Sequence, residues 1–323
     1  MGLPTAVRWR GHRLAWTAAP LWADRLSRWR QPSNFMRAPW VAGHRLPCYR
    51  LRHALRTLCR NSPLRALLPT GDARAATALL VNGALYVVGR RYATRSLTPE
   101  ALVHAAALGM LLWASLGWAA WTTCVLFLVL GSVATRVKLA EKESRGIAEK
   151  RGGARGPENV WGSAAVAAAC CILYSLWVYA GVATGSPVMM WCKLGFVGSM
   201  ATKLSDTLAT EIGKAYGRTT YLVTNFQRVA PGTEGAISAE GTVAGIVGSL
   251  VIASFGAMSG LIPATRASVA VCAVAALVAT TIESVIGATV QHRYAWLTNE
   301  TVNVMNTALG ALLAVLFAGL FRV

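Results

Sequence analysis

Residues able to bind a divalent cation and a phosphate chain lie close together in the second half of the 323-residue chain. Asp206, Thr210, Gly213 and Gly217 follow one another at steps of four, three and four, so they share one face of a helix. Mg²⁺ typically binds one or two carboxylates plus substrate phosphates. We therefore predict that Asp206 and Thr210 bind Mg²⁺, that the glycines leave room for phosphates, and that Lys214 acts with Asp206 in catalysis.

Two further charged residues on this stretch have less certain partners. Glu211 points about 140° away from Asp206 on an unbroken helix, at 100° per residue. It could reach the metal only if the helix breaks, and it could otherwise pair with Lys214 or Lys203. Arg218, at the end of the stretch, is predicted to contact phosphate.

A second polar group occupies residues 231–242, which read PGTEGAISAEGT. Glycines among acids and hydroxyls, directly before an apolar helix, suit a turn whose backbone N–H groups face an anion. We predict that Thr233 and Gly235 contact phosphate, that Glu234 is catalytic, and that Glu234 and Glu240 are metal ligands. The alternative is an ordinary turn with a capping glutamate.

A third group combines Glu283 with the start of the last apolar segment. Glu283 lies about eight residues before a polar loop, hence roughly 12 Å deep at 1.5 Å per residue. An ionisable group at that depth is costly, and its default interpretation is functional. Asn299, Asn303, Asn306 and Gly310 share one helix face. We predict that Glu283, Asn303 and Asn306 bind substrate or nucleotide, with a structural hydrogen-bond cluster as the alternative.

A basic loop at residues 136–160 combines a charged, helix-like half with a half rich in Gly and Arg. Arg and Lys side chains in a glycine-rich loop can contact several phosphates at once. The alternative is a purely topological role, as the positive anchor of a membrane protein. The predicted phosphate-binding residues of this loop are Lys138, Lys142, Lys150, Arg151 and Arg155.

The composition indicates the elements that must position these groups. Hydrophobic residues make up 54% of the chain and charged residues only 14%, against about 25% in soluble domains. Because a bilayer gives backbone groups no water, apolar segments that cross it must be helical. We predict an all-α, polytopic membrane helix bundle of about 7–8 transmembrane helices. The apolar segments are residues 75–89, 100–115, 118–135, 161–182, 187–204, 240–262, 267–290 and 302–321.

The polar loops between these segments alternate with very short connectors. If all eight segments cross the bilayer, the polar loops lie on one face, and the positive-inside rule places that face in the stroma, matrix or cytosol. All three groups of candidate residues adjoin this face. The loops are residues 90–99, 136–160, 205–239 and 291–301.

The first residues differ in composition from the rest. Residues 1–75 contain 14 Arg, no Lys and two acids, with no apolar run long enough for a secretory signal. We predict a transit peptide or disordered leader over residues 1–74, before a transmembrane domain at 75–323; a retained basic arm is the alternative. Because much of the net charge of +19 lies here, and no nucleic-acid-binding motif is present, we predict no nucleic-acid partner.

Several segments together resemble the plastid phytyl-phosphate kinases. They are residues 145–160, 193–197 (KLGFV), 203–221, 231–245 and 283–288 (ESVIGA). More distantly, Asp206 followed by Gly213, Gly217 and the Thr-Glu-Gly sequence resembles CTP-dependent polyprenol and phytol kinases and CDP-lipid synthases. Where those relatives place Lys before Thr-Glu-Gly, this chain has Gly232.

The resemblance implies phosphorylation of phytyl phosphate to phytyl diphosphate, which recovers phytol for tocopherol and phylloquinone synthesis. It implies Mg²⁺, with CTP or another nucleoside triphosphate as donor, an isoprenoid phosphate substrate, and an integral plastid membrane location surrounded by membrane lipids, with a stromal active face. A CDP-lipid-type cytidylyltransferase and a transporter of isoprenoid phosphate or other anions remain the alternatives. The oligomeric state is not predicted.

Overall fold

The computed structural model describes residues 71–92 and 96–323. Nearly all of the predicted leader therefore lies outside the described residues. In the described part, each predicted apolar segment forms one long helix, and a short helix lies in the basic loop. The helices are α1 (Gly71–Tyr92), α2 (Pro99–Leu116), α3 (Trp118–Arg136), α4 (Leu139–Ser144), α5 (Pro157–Tyr179), α6 (Pro187–Tyr216), α7 (Ala239–Met258), α8 (Arg266–Thr289) and α9 (Asn299–Phe321).

Six of these helices are long and apolar enough to cross a membrane: α2, α3, α5, α7, α8 and α9. The two other long helices, α1 and α6, do not meet that test of length and composition. The predicted all-α, polytopic membrane bundle is confirmed. The apolar segment predicted over residues 187–204 covers only part of α6, which continues to Tyr216 and so includes most of the predicted Asp206 helix face.

The polar segment between α6 and α7 contains a small antiparallel sheet that the sequence did not predict. Its strands are β1 (Thr220–Leu222), β2 (Arg228–Val229) and β3 (Ala236–Ser238), in the order β2-β1-β3. The chain enters α7 directly from β3, and the Ser238 hydroxyl caps that helix by accepting a hydrogen bond from the Gly241 N–H at 3.1 Å. The sheet therefore fixes where the 231–235 turn lies relative to α7.

The helices α6 and α7 pack with their backbones in close contact. Gly241, Gly245 and Gly248 lie one or two turns apart on α7 and face α6. A Cβ atom on Gly245 would lie 3.1 Å from the Ser205 carbonyl oxygen, and one on Gly248 would lie 3.1 Å from that of Leu204. Because small residues allow such close packing, the glycine spacing predicts helix contact, and the structure confirms it.

The polar loops meet at one end of the bundle. Leu97 pairs with Arg155 in an isolated bridge that joins the 96–98 segment to the basic loop. Gly232 packs against Ile147, which joins the basic loop to the segment between α6 and α7. This end of the bundle carries the candidate site.

Candidate functional site

A polar cavity of about 230 Å³ opens among α6, α7, α8, the first turn of α9 and the 231–238 segment. We call it the polar cavity. Its lining includes nine of the residues predicted from the sequence to act in catalysis or binding: Asp206, Thr210, Gly213, Lys214, Thr233, Glu234, Gly235, Glu283 and Asn303. It also includes Glu149, Lys203, Ser205, Thr207, Glu211, Thr280 and Asn299, among others.

Lys203, which was not predicted to belong to the site, forms an ion pair with Asp206. The Lys203 ammonium donates to Asp206 Oδ2 at 2.7 Å and to Asn303 Oδ1 at 2.6 Å. The three side chains are buried apart from their edge on the polar cavity. Charge-assisted hydrogen bonds of this kind are strong and directional. Lys203 therefore fixes the position of Asp206 and joins α6 to the amide face of α9.

The 231–235 turn rests on the end of α8. Gly235 has φ +75, and a Cβ atom there would lie 2.6 Å from the Ser284 carbonyl oxygen. Only glycine combines this left-handed conformation with so close an approach. Gly287, three residues further along α8, also lies close to the turn: a Cβ atom there would be 3.3 Å from the Gly235 nitrogen. The turn thus meets the 283–288 run, although about 50 residues of sequence separate them.

Acidic groups from three elements share the polar cavity. Glu283 of α8 lies near enough to Asp206 and Glu234 for their negative charges to act on it, with the Lys203 charge opposing them. Two buried hydroxyls of the lining, Ser205 Oγ and Thr280 Oγ1, have no hydrogen-bond partner among the described residues. The polar cavity therefore brings together carboxylates from three elements and two hydroxyls that have no partner among the described residues.

Oxygen ligands of this kind suit Mg²⁺, which could bind them and substrate phosphates at the same time. No group of three or more His, Cys, Asp or Glu side chains in the described residues is arranged to hold a metal ion by itself. Mg²⁺ does not require such a group, because it usually retains waters and binds one or two carboxylates plus substrate phosphates. Asp206, Thr210 and Glu234 could supply those ligands, and this metal set remains a prediction.

Lys142, a predicted phosphate ligand, has a different partner. Its ammonium lies 2.5 Å from Glu211 Oε2 and 2.6 Å from the Thr135 carbonyl oxygen, and its side chain is 1% exposed. The interaction joins α4 to α6. Our expectation that Glu211 pairs with Lys214 or Lys203 is wrong, because α6 is unbroken and directs Glu211 toward the basic loop.

The other cations of the basic loop whose side chains the structure describes lie away from the polar cavity lining. Lys138 is 3.4 Å from Glu141 and lies over the Tyr216 ring, at 4.6 Å from its centre. Arg151 is exposed and forms an ion pair with Glu158. The Lys150 side chain lies outside the described residues.

Arg155, near the end of the basic loop, is partly buried. Its guanidinium is 4.9 Å from the centre of the Phe127 ring. Burial lowers the pKa of Arg155, and the charge of Glu149 acts in the opposite direction. An arginine remains protonated under such conditions, so a positive charge is held behind the polar cavity.

Four further predicted residues do not line the polar cavity. Glu240 accepts a long hydrogen bond, 3.4 Å, from the N–H of the exposed Arg218. Gly217 follows the last residue of α6 and packs against Ser238. Asn306 is buried one turn beyond Asn303, and neither amide atom has a partner in the described part of the chain.

Several lining residues were not predicted from the sequence, and the sequence patterns that could have indicated them differ in strength. Lys203 precedes Asp206 by three residues, a spacing that places both on one helix face, so it could have been found. Glu149 could not, because its position depends on how the basic loop folds. Ser205 and Thr280 are small hydroxyls within apolar helices, where such residues usually bond their own backbone.

Comparison with known proteins places the whole site within one family. The family model described as integral membrane protein DUF92 matches residues 82–311. This range begins in α1, ends in α9 and contains every predicted site residue. No solved structure matches the chain.

Three relatives cover most of the chain. An uncharacterized membrane protein of Synechocystis is 46% identical over 240 residues, which are 74% of this chain and 89% of that protein. The chloroplastic protein VTE6 of Arabidopsis thaliana is 41% identical over 255 residues, covering 78% of this chain and 73% of VTE6. An uncharacterized membrane protein of Methanocaldococcus jannaschii is 28% identical over 225 residues, covering 69% of this chain and 86% of that protein.

Proposed function

We propose that this chain, which belongs to the DUF92 family of integral membrane proteins, is a kinase that phosphorylates an isoprenyl monophosphate. The acceptor is phytyl phosphate, the product is phytyl diphosphate, and the donor is CTP or another nucleoside triphosphate. The supporting observation is the convergence of distant segments in the polar cavity. The 203–221 stretch, the 231–245 stretch and the 283–288 run resemble phytyl-phosphate kinases, and all three contribute to its lining.

The reaction needs little covalent chemistry from the protein. An oxygen of the lipid phosphate forms a bond to the terminal phosphorus of the nucleotide, and the bond from that phosphorus to the bridging oxygen breaks, releasing the nucleoside diphosphate. The lipid phosphate is already an anion near neutral pH, so no strong base is required. Positioning and charge neutralisation then supply most of the rate.

The lining residues have roles that fit this reaction. Lys203 and Lys214 supply positive charge from α6. The 231–235 turn, held against α8 by the close approach of Gly235 to Gly287, places Thr233 and Glu234 on the cavity. Asp206, Glu234 and Thr210 are the proposed ligands of Mg²⁺, and Glu240, which lies outside the lining, is the weaker candidate for the second carboxylate. When bound, Mg²⁺ would neutralise phosphate charge at these oxygens.

The cellular setting follows from relatives and composition. VTE6 is named a chloroplastic protein, and the resemblance is to enzymes of the plastid. We therefore place the protein in a plastid membrane, with the polar cavity facing the stroma, and assign its product to tocopherol and phylloquinone synthesis.

A direct assay tests the proposal. Purified protein in lipid nanodiscs would receive phytyl phosphate, Mg²⁺ and each of the four nucleoside triphosphates in turn, with mass analysis of the lipid. We expect phytyl diphosphate with at least one nucleotide, and no product when phytol replaces phytyl phosphate. A CDP-lipid with release of pyrophosphate would instead establish a cytidylyltransferase. Flux of phytyl phosphate into liposomes without nucleotide consumption would establish a transporter.

A further inference from the structure

A second cavity lies in the other half of the bundle, and the proposed kinase site does not use it. We call it the apolar chamber. It has a volume of about 440 Å³, within the range of ligand pockets, and lies among α1, α2, α3 and α5. Most of its lining is hydrocarbon, from residues such as Leu85, Leu102, Leu108, Leu112, Phe127 and Leu128.

Arg155 is the charged residue among the described residues that line the apolar chamber. Its backbone is held on both sides, because its N–H donates to the Ser96 carbonyl and its own carbonyl accepts from the Thr98 N–H, each at 3.0 Å. Its guanidinium has no hydrogen bond or ion pair with any group in the described part of the chain. The Phe127 ring and the charges of Glu149 and Glu211 compensate its charge in part. Since burying a charge that lacks a hydrogen-bonded partner is costly, this guanidinium is suited to bind an anion.

The Arg155 guanidinium also lies beside the polar cavity. A Cβ atom on Gly131 of α3 would be 2.6 Å from Arg155 Nη2 and 3.5 Å from the methyl carbon of Thr207. Thr207 lines the polar cavity, whereas Arg155 lines the apolar chamber. The charge of Glu149, another polar cavity residue, also acts on Arg155. Arg155 therefore stands at the junction of the two spaces.

In the described part of the chain, α6 packs closely against both α7 and α9. Gly245 and Gly248 bring the α7 backbone against that of α6. On the α9 side, Gly198 of α6 lies against Gly310 and Ala314, where a Cβ atom would already be 2.6 Å from the Ala314 side chain. These contacts leave no room for a long alkyl chain between α6 and α7 or between α6 and α9 at these glycines.

We propose that the apolar chamber binds the hydrocarbon tail of the isoprenyl monophosphate, and that Arg155 binds its phosphate at the edge of the polar cavity. This inference rests on the proposed function and adds a lipid subsite to it. A single-chain lipid phosphate matches the chemistry of the space, since it joins one apolar tail to one anionic head. Along α2, the lining extends from Leu102 to Leu112, or about 15 Å at 1.5 Å per residue.

The first test needs no substitution and no nucleotide. A phytyl phosphate analogue with a diazirine at the end of its tail would be photolysed with the wild-type protein in nanodiscs, and the adducts mapped by mass spectrometry. We expect adducts on the deep part of the chamber, at Leu108, Leu112 or Trp121. Excess phytyl phosphate should remove them, and excess phosphatidylglycerol should not. Adducts on α7 or α8, or equal competition by the bilayer lipid, would overturn the inference.

The second test changes the length of the chamber. Ala106 lines it, whereas Ala107 is exposed and does not, so Ala107→Trp is a matched control for Ala106→Trp. We expect Ala106→Trp to lower kcat/KM for phytyl phosphate about tenfold or more, with a smaller loss for the ten-carbon geranyl phosphate. Equal losses for both chain lengths in a folded Ala106→Trp protein would contradict the inference.

The third test concerns the anion. Arg155→Leu should raise KM for phytyl phosphate about tenfold or more, with Arg155→Lys intermediate, while KM for the nucleotide changes less than twofold. A larger effect on the nucleotide would assign Arg155 to the donor instead. Chamber adducts in a protein without kinase activity would refute the proposed function alone. Phosphorylation with adducts elsewhere would refute the chamber alone.

Discussion

Two lysine–carboxylate pairs involve the same helix, α6, and their surroundings differ. Lys203 and Asp206 are 2.7 Å apart, share Asn303 and face the polar cavity. Lys142 and Glu211 are 2.5 Å apart, and their side chains are only 1% and 2% exposed. The first pair keeps an exposed edge on the cavity, where a ligand can reach it. Glu211 borders the same cavity, but its pair with Lys142 is closed off from water and joins α4 to α6.

The difference separates a functional pair from a structural one. In an ion pair beside a cavity, the lysine can also contact a bound phosphate, and the carboxylate can also contact a bound cation. A pair sealed from water cannot, because removing one partner leaves a buried charge without compensation. The same residue types at similar distances therefore predict opposite consequences of substitution: loss of activity at one pair and loss of stability at the other.

The largest effect on activity is expected for Asp206→Asn. The neutral amide keeps the shape and can still accept a hydrogen bond from Lys203, but it removes the proposed metal ligand. We expect turnover of phytyl phosphate to fall about a thousandfold or more, with little change in the thermal unfolding temperature in detergent. Glu143→Gln, at an exposed position of the basic loop, is the matched control and should retain turnover. Near-normal activity of Asp206→Asn would remove Asp206 from the metal role.

Glu211→Gln should have the opposite effect: a loss of stability with little change in turnover. It leaves the buried Lys142 without its counter-charge, which costs about 3–5 kcal/mol of unfolding free energy. Denaturant unfolding in detergent measures this loss, and turnover per folded molecule should remain within a few-fold. The double substitution Lys142→Met with Glu211→Leu should recover much of the stability. If that double variant were folded but inactive, the pair would have a role in the polar cavity, which Glu211 borders, as well as in stability.

The two glutamates near the start of α7 provide a finer comparison. Glu234 lines the polar cavity, and Glu240 does not. We expect Glu234→Gln to lower kcat about tenfold to a hundredfold and to raise the Mg²⁺ concentration needed for half-maximal rate. Glu240→Gln should change either quantity less than about threefold, because it loses only a long hydrogen bond. The opposite ranking would assign the second carboxylate to Glu240.

The smallest effects concern surface cations. Arg151 forms an exposed ion pair with Glu158, and such pairs are worth about 0–1 kcal/mol. Arg151→Gln should therefore leave both stability and turnover nearly unchanged. Lys214→Gln, within the polar cavity, should raise KM for the nucleotide about tenfold. Equal effects of the two substitutions on KM would mean that the basic loop also contacts the nucleotide.

The sequence was sufficient to predict the membrane bundle. Hydropathy alone located every long helix of the described residues, and the alternation of polar loops with short connectors correctly predicted that the loops meet. Hydropathy located only the first part of α6, because its last turns carry polar residues that face a cavity rather than lipid. Spacing also grouped Asp206, Thr210 and Gly213 correctly on one side of that helix.

The remaining features depend on long-range packing. Lys142 and Glu211 are separated by 69 residues, and no local pattern relates them. The three strands contain only two or three residues each, too few for a periodic signal. Arg155 was predicted as a phosphate ligand from a basic glycine-rich loop, but its position between two cavities depends on how α3, α5 and α6 pack.

Transfer of an isotopic label tests the central claim most directly. The wild-type protein would receive phytyl phosphate, Mg²⁺ and a nucleoside triphosphate carrying ¹⁸O on its terminal phosphoryl group. The mass of the lipid product would then be measured by mass spectrometry. The account predicts a phytyl diphosphate that carries the labelled phosphoryl group, formed by the wild-type protein and not by Asp206→Asn. An unlabelled CDP-lipid, or unchanged phytyl phosphate with every nucleotide, would contradict it.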